Sequence, residues 1–511
     1  MKKIIFFFIA SGLVLSCDFD EGFEEMNVNP RTAAQIEVSN KMASMFLWTS
    51  GGRYENWRAS LIYQSTIVQH LASTATYWSG NFYLRNLGYA TSLWDRGYPQ
   101  QVKEIEDIIH QLTTEEDNGT NMGIARIWRA VIYGRMTDVY GDIPYSEAGK
   151  GFSEGILKPK YDPQSEIYAS MLSEIEAGIA QLGEDQLGNA DLIYGGDVSK
   201  WRKFGNSLML RLAMRLTKVD PSTAQAWAVK AINGGTFESN EDICYIEHTS
   251  GPEGVNRNGH GEVFTTDGNM RMSKFFIDLL KSTEDPRLPI LAAREHDNST
   301  SSDDLMGLPS ATTNAVLKAT FTELDAIETS GGPNVRDQFA EPNRNVITGE
   351  DAPMVFQTYA ETEFLKAEAA VRGWYSGDAE QHYKNGVRAA MQMLSMLYPN
   401  AAAISDAEVD AYLAANPFDA SDAMNHIHTQ YWIVTFLNEY EAFANWRRTG
   451  YPALQPFGGS DPYPGNVTNG TIPRRLIYPG SEESTNPENY AEAISRQGPN
   501  EFTTRVWWDV E

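Results

Sequence analysis

The chain has 511 residues and a formal charge of −27, with 68 acidic against 41 basic side chains. A body this acidic repels phosphate backbones, which excludes a nucleic-acid partner. Its 12 tryptophans and 24 tyrosines exclude a disordered acidic chain, and supply amphipathic rings beyond what a core needs.

Lys2 and Lys3, the apolar run Ile4 to Leu15 and the small Ser16 have the layout of a secretory signal peptide over residues 1–16. The run of about a dozen residues falls short of the ~20 needed to span a bilayer as a helix. Val-Leu-Ser-Cys, ending at Cys17, resembles the lipobox of bacterial lipoproteins, with Leu15 where a smaller residue is usual. The resemblance implies acylation of the Cys17 thiol and cleavage just before it. Two or three acyl chains hold a protein to a bilayer firmly, where one does so only marginally. Loss of the two lysines takes the mature charge from −27 to −29. Cys244 is then left without an intramolecular partner, so the body must rely on its core and not on disulfides.

Residues 17–35 are acidic and aperiodic and read as an extended tether. Asp-Phe-Asp-Glu-Gly at 18–22 lacks the remaining ligands of a calcium loop. No Pro-rich or Gly/Ser-rich linker follows, so 36–511 is expected to be one large domain. From Ile36 to about Met214 the pattern is helical. Val38, Met42, Met45 and Phe46 share a face, as do Leu61, Ser65, Val68 and Leu71, and then Ile105, Ile108, Ile109 and Leu112. Asp162-Pro163 opens another helix through Ile167 and Met171, and Pro221 opens one to Ile232. From 233 to 353 Gly, Asn, Ser, Thr, Asp and Pro dominate. That stretch is expected to be a loop-rich insertion with one short helix near Met272 to Leu280. Beyond Phe356, Ala367, Ala379, Tyr383 and Gly386 take the spacing of a tetratricopeptide helix pair turning at Gly373 to Asp378. A last long helix is expected from about Asp422 to Arg448.

The chain contains no HExxH, GxSxG, P-loop or GxGxxG signature. His426 and His428, two apart, would point to different helix faces and have no placed third ligand. Asp138 and Asp142 would suit a glycosidase only at a defined separation, and solvation or capping accounts for them. Two stretches do suit a sugar, whose flat C–H faces take rings and whose hydroxyls take amides and charged groups. In 75–86, Tyr77, Trp78, Phe82 and Tyr83 lie beside Asn81, Arg85 and Asn86. In 256–271, Asn256, Arg257, Asn258 and His260 sit on a glycine-rich frame. Candidate ligand contacts are therefore Tyr77, Trp78, Asn81, Tyr83, Arg85, Asn256, Arg257 and His260, with no catalytic residue, cofactor or metal ligand among them.

Four motifs then recur in order: Met136 to Ala148 (MTDVYGDIPYSEA), Ala367 to Met391, Glu439 to Pro456 (EYEAFANWRRTGYPALQP) and Ile472 to Ile494. Together with Cys17 and Asn27 to Pro30 they resemble the SusD-like (RagB/SusD) nutrient-binding lipoproteins over essentially the whole chain. Trp446, Tyr451, Arg447, Arg448, Arg474 and Arg475 in these motifs read as fold maintenance, the arginines forking onto carboxylates. The resemblance implies a mostly α fold of tetratricopeptide-like helix pairs with long ligand-binding loops, lipid-anchored on the extracellular face of the outer membrane. It further implies a non-enzymatic protein that binds an oligosaccharide or polysaccharide and delivers it to a SusC-like TonB-dependent transporter. A peptide-binding member, a surface glycoside hydrolase and a purely structural lid remain open at this point.

Overall fold

A computed structural model describes residues 36–183, 188–251, 256–457 and 463–511. The signal segment, Cys17 and the tether lie outside the described residues.

The first helix, α1 (Val38–Ser50), buries Val38, Met42, Met45 and Phe46, the stripe its period predicts. The next segment departs from the α pattern. Asn56–Ser65 is a π-helix, and its wider turn buries Asn56 and Ala59 through Ser65 together, so it has no single apolar face. Leu71, expected on that helix, lies instead in strand β1 (Leu71–Ser73). Helix α2 (Lys103–Thr114) buries Ile105, Ile108 and Leu112, and α3 (Thr120–Tyr140) is buried nearly all round.

Strands β2 (Ile143–Pro144) and β3 (Tyr161–Asp162) pair antiparallel and lead into α4 (Gln164–Gln181). The Asp142 carboxylate accepts the Gln164 N–H at 2.8 Å and so caps α4. Helices α3 and α4 touch through glycines: a Cβ on Gly123 or Gly178 would lie 2.7 Å from the other's carbonyl. Helix α5 (Val198–Arg215), capped by Asp197, and α6 (Pro221–Gly234), capped by Asp220, form the next pair.

The region expected to be loops is tied down by strands. Strands β4 (Cys244–Ile246), β5 (Met270–Met272), β6 (Ala292–Arg294), β7 (Ala340–Pro342) and β8 (Met354–Gln357) form antiparallel ladders β1–β5, β4–β8 and β6–β7. Helices lie among them too: α7 (Gly259–Thr266) and α8 (Lys274–Ser282), of which only the second was legible from its period, and further ones over Leu288–Leu291, Asn314–Thr320 and Thr322–Thr329. A small separate core of Ala72, Leu308, Leu317, Val335 and Phe339 forms here. Arg271 is fully buried, bonded to the carbonyls of Arg336 and Gly268 and to Asp337. Order in this polar stretch thus comes from ladders and buried polar bonds, which hydrophobic periodicity does not register.

Helices α9 (Tyr359–Val371) and α10 (Ala379–Leu397) form the expected close pair. The chain turns at Gly373, whose φ of +70° suits glycine, and Asp378 caps α10. After α11 (Asp406–Ala415) the predicted long helix proves to be two, α12 (Ala423–Val434) and α13 (Glu439–Thr449). Leu437 takes a φ of +68°, and the Glu439 carboxylate accepts its N–H at 3.1 Å. The break serves His70, whose ring nitrogens contact Glu439 Oε2 at 2.8 Å and the Trp432 carbonyl at 3.0 Å. Helix α14 (Pro487–Gln497) precedes the C-terminal tail. The main core runs from Val38 to Trp508, so the described body carries its own hydrophobic interior.

The four motif arginines divide. Arg448 forks onto Glu368, both bonds 2.8 Å, and Arg474 pairs with Asp509. Arg447 instead donates to the carbonyls of Arg474 and Asp138 and lies 4.0 Å from the centre of the Phe443 ring. Arg475 donates to the Leu476 carbonyl and covers Tyr478 at 4.2 Å. For these two, backbone oxygens and ring faces replace the expected carboxylates.

Candidate functional site

The π-helix places Trp57 and Arg58 at the surface beside Tyr54. Trp57 meets Tyr77 edge-on and tilts against Tyr89, both at 6.1 Å between ring centres. Arg58 lies 3.9 Å from the Tyr54 ring centre and 5.1 Å from that of Trp57, while Arg53 lies 4.5 Å from Trp57. Trp57, Tyr77 and Tyr89 are each half-buried.

This ledge is fixed by one carboxylate. Asp267, buried just after α7, accepts from Trp57 Nε1 at 3.0 Å, from the Tyr77 hydroxyl at 2.8 Å and from Trp78 Nε1 at 3.2 Å. Asn269 donates its amide to Asp267 at 2.8 Å and to the Tyr77 oxygen at 2.7 Å, and Arg336 donates to Asn269 Oδ1 at 2.6 Å. Burial, with the Asp267 carboxylate next to it, pushes the Tyr77 phenol up to about 12, so it stays protonated and donates. Rings locked by such bonds offer flat faces without losing rotamer entropy on binding. Beside the ledge an open depression is lined by Tyr77, Arg85, Asn86, Leu87 and Tyr463.

The candidates named from sequence fall into three groups. Tyr77 and Arg85 lie at this surface. Trp78, Asn81 and Tyr83 do not: in the described structure all three are buried, which corrects their reading as exposed contacts. Trp78 is 0% exposed and anchors Asp267 from beneath. Asn81 donates to the Ser73 carbonyl at 2.8 Å, holding β1, and Tyr83 stacks on Phe457 at 5.0 Å. Aromatic composition cannot tell the outward ring of a loop from the inward ones.

The second stretch is no flexible frame, because Asn258 caps α7 by accepting from the His260 and Gly261 N–H groups. His260 is buried, its Nε2 3.0 Å from Ser60 Oγ, and burial lowers its pKa to about 3, so it is neutral. Arg257 is half-buried and pairs with Glu350 at 3.3 Å. Asn256, also half-buried, gives its carbonyl to the Thr249 N–H at 2.9 Å. This stretch joins the ledge at its other end, through Asp267. Sequence reasoning missed Trp57, Tyr89 and Asp267; Asp267 lies inside the stretch but was hidden among 68 acids, and Trp57 sits in what reads as an ordinary helix.

The residues weighed for catalysis are structural. Asp138 is buried among Arg215, the Tyr168 hydroxyl and Trp508 Nε1. His428 is buried 3.1 Å from Glu368, and His426 lies against Tyr383 and Phe418.

Paired helices joined by long, strand-stitched connections define the class, an α-helical SusD-like fold. The chain belongs to the SusD-like family: the model described as "Starch-binding associating with outer membrane" matches residues 32–479. A solved structure described as a chitin-binding protein is 34% identical with a TM-score of 0.81, covering 93% of this chain and 100% of its own. A Bacteroidetes AC2a SusD-like structure is 28% identical, also with a TM-score of 0.81, over 93% and 100% of the two chains. A chitin-binding SusD homolog from Flavobacterium johnsoniae, 22% identical with a TM-score of 0.77 over 93% and 99%, shares the fold. The curated proteins give no match.

Proposed function

We propose that this protein is a cell-surface lipoprotein that binds a glycan on the Trp57–Tyr77–Tyr89 ledge and delivers it to a SusC-like TonB-dependent outer-membrane transporter. The observation that carries the reading is the ledge: half-buried Trp57 and Tyr77 held by Asp267, with Tyr89 beside Trp57 and with Arg58 and Arg336 at hand for hydroxyls. Stacking and hydrogen bonding suffice for capture, and no covalent step is required. Chitin oligosaccharides are the first ligands to try, given the 34% identical relative described as chitin-binding. Cys17 carries the lipid in this reading. No helix among the described residues is long and apolar enough to cross a membrane.

Calorimetry on the chain from Asp18 onward, against chitin and other oligosaccharides and a set of peptides, tests the ligand class. Trp57→Ala and Tyr77→Ala should each weaken a verified glycan by about tenfold, roughly 1.4 kcal/mol. Each takes a donor from the buried Asp267, so melting without ligand is measured alongside to confirm that the variant is folded at the assay temperature. Unchanged affinity in both variants rejects the ledge, and binding of peptides alone rejects the glycan. Co-purification of a TonB-dependent transporter with the acylated chain tests delivery.

A further inference from the structure

The connection between β2 and β3 carries the most exposed large apolar side chains among the described residues. Phe152 is fully exposed and Leu157 is 84% exposed, whereas the next such residue, Val316, reaches 54%. The stretch from Lys150 to Lys160 holds three lysines and one glutamate, a net of +2 within a chain of −27. Lys150 pairs with Glu154 and Lys160 with Asp162, each at 3.2 Å, while Lys158 makes no ion pair among the described residues. An apolar tip ringed by lysines is the pattern of an interfacial segment, whose rings and aliphatic chains sink below the headgroups while ammonium groups meet phosphate.

Position supports this. Ile36, where the described body begins, is itself half-exposed and lines one trough with Lys150, Phe152 and Lys103. A tether from Cys17 would therefore join the body beside this loop. Ile36 lies nineteen positions after Cys17, and no chain of that length reaches beyond about 65 Å, so a lipid surface at Cys17 stays within reach of the loop. Other acids of the trough are neutralised locally, Asp107 by Lys41 and Glu106 by Arg129, while Glu104 remains.

We propose that the β2–β3 loop seats in an anionic lipid interface, with Phe152 and Leu157 entering the acyl boundary and Lys150 and Lys158 at the phosphates. It rests on the reading of Cys17 as the anchored end, which attachment of labelled palmitate tests separately.

The test uses the unacylated chain from Asp18, labelled with an environment-sensitive fluorophore through Ser153→Cys; Cys244 is fully buried and out of reach of the label. On titration with phosphatidylcholine–phosphatidylglycerol vesicles the label should shift to the blue and be quenched by brominated lipid. Phe152→Asp with Leu157→Asp should lower the partition coefficient by roughly tenfold or more. No spectral change across the titration overturns the proposal, and with palmitate attached it leaves the tether standing. A double variant that binds vesicles like the parent, yet no longer co-purifies with an outer-membrane protein, also overturns it and assigns the loop to a protein contact.

Discussion

At the scale of single residues, burial decides which role a side chain plays. Trp78 and Tyr77 are neighbours and both bond Asp267, yet one is in the core and the other on the ledge. Trp78→Ala is therefore expected to act on the fold, costing about 3–5 kcal/mol of stability in chemical denaturation. Equal stability of variant and parent would return Trp78 to the surface. Glu55 gives a sharper handle, because burial raises its carboxyl from 4.5 to about 7 even though it accepts the Gly52 N–H at 3.0 Å. Folded, it is protonated up to about pH 7; unfolded, it ionises near 4.5. Its favourable contribution is thus fully present below pH 4.5 and is lost as pH rises through 7, a change of roughly 3 kcal/mol. Glu55→Gln should flatten the stability profile over that window, and parallel profiles for the two proteins would contradict this.

At the scale of elements, glycines set the helix pairs. A Cβ on Gly386 of α10 would lie 2.5 Å from the Phe364 ring of α9, where real contacts do not occur. Alanine gains up to about 1 kcal/mol of helix propensity there but forces the ring to move, and overpacking costs about 1–3 kcal/mol. Gly386→Ala should lower the melting temperature, and Phe364→Leu in the same chain should recover part of the loss, a non-additivity that a double-mutant cycle measures. This pair was legible in the sequence because small residues at helical spacing leave a pattern, as do the stripes of α1, α2 and α4. The π-helix, the α12–α13 break and α7 were not legible. The break is held by a partner far along the chain, His70 wedged at Glu439, and α7 by the single cap Asn258, and no hydrophobic period records either. The ledge was half legible for the same reason: Tyr77 sits in an obviously aromatic loop, while Trp57 is presented by an irregular helix.

Over the whole molecule, a seam of buried ions joins the helix pairs to the tail. Arg211 bonds Glu361, Arg215 joins Glu441 and Asp138, and Asp138 accepts from Trp508. Further on, Asp509 pairs with Arg474. Each guanidinium is held by carboxylates from other parts of the chain, so one missing partner leaves a charge buried and uncompensated. Deleting residues 503–511 removes Asp509 together with the core residues Val506 and Trp508, and should cost at least ~3 kcal/mol. A truncated chain that unfolds at the same denaturant concentration as the full one would show that the tail is dispensable.

The Asp267 carboxylate clasps rings that lie 189 to 210 positions earlier in the chain. Whatever grips those rings also grips the clasp, so an occupant would knit two distant stretches and delay their separation on heating. A library of sugars can therefore be sorted without labels or a known transporter, by asking which one keeps the protein whole at the highest temperature.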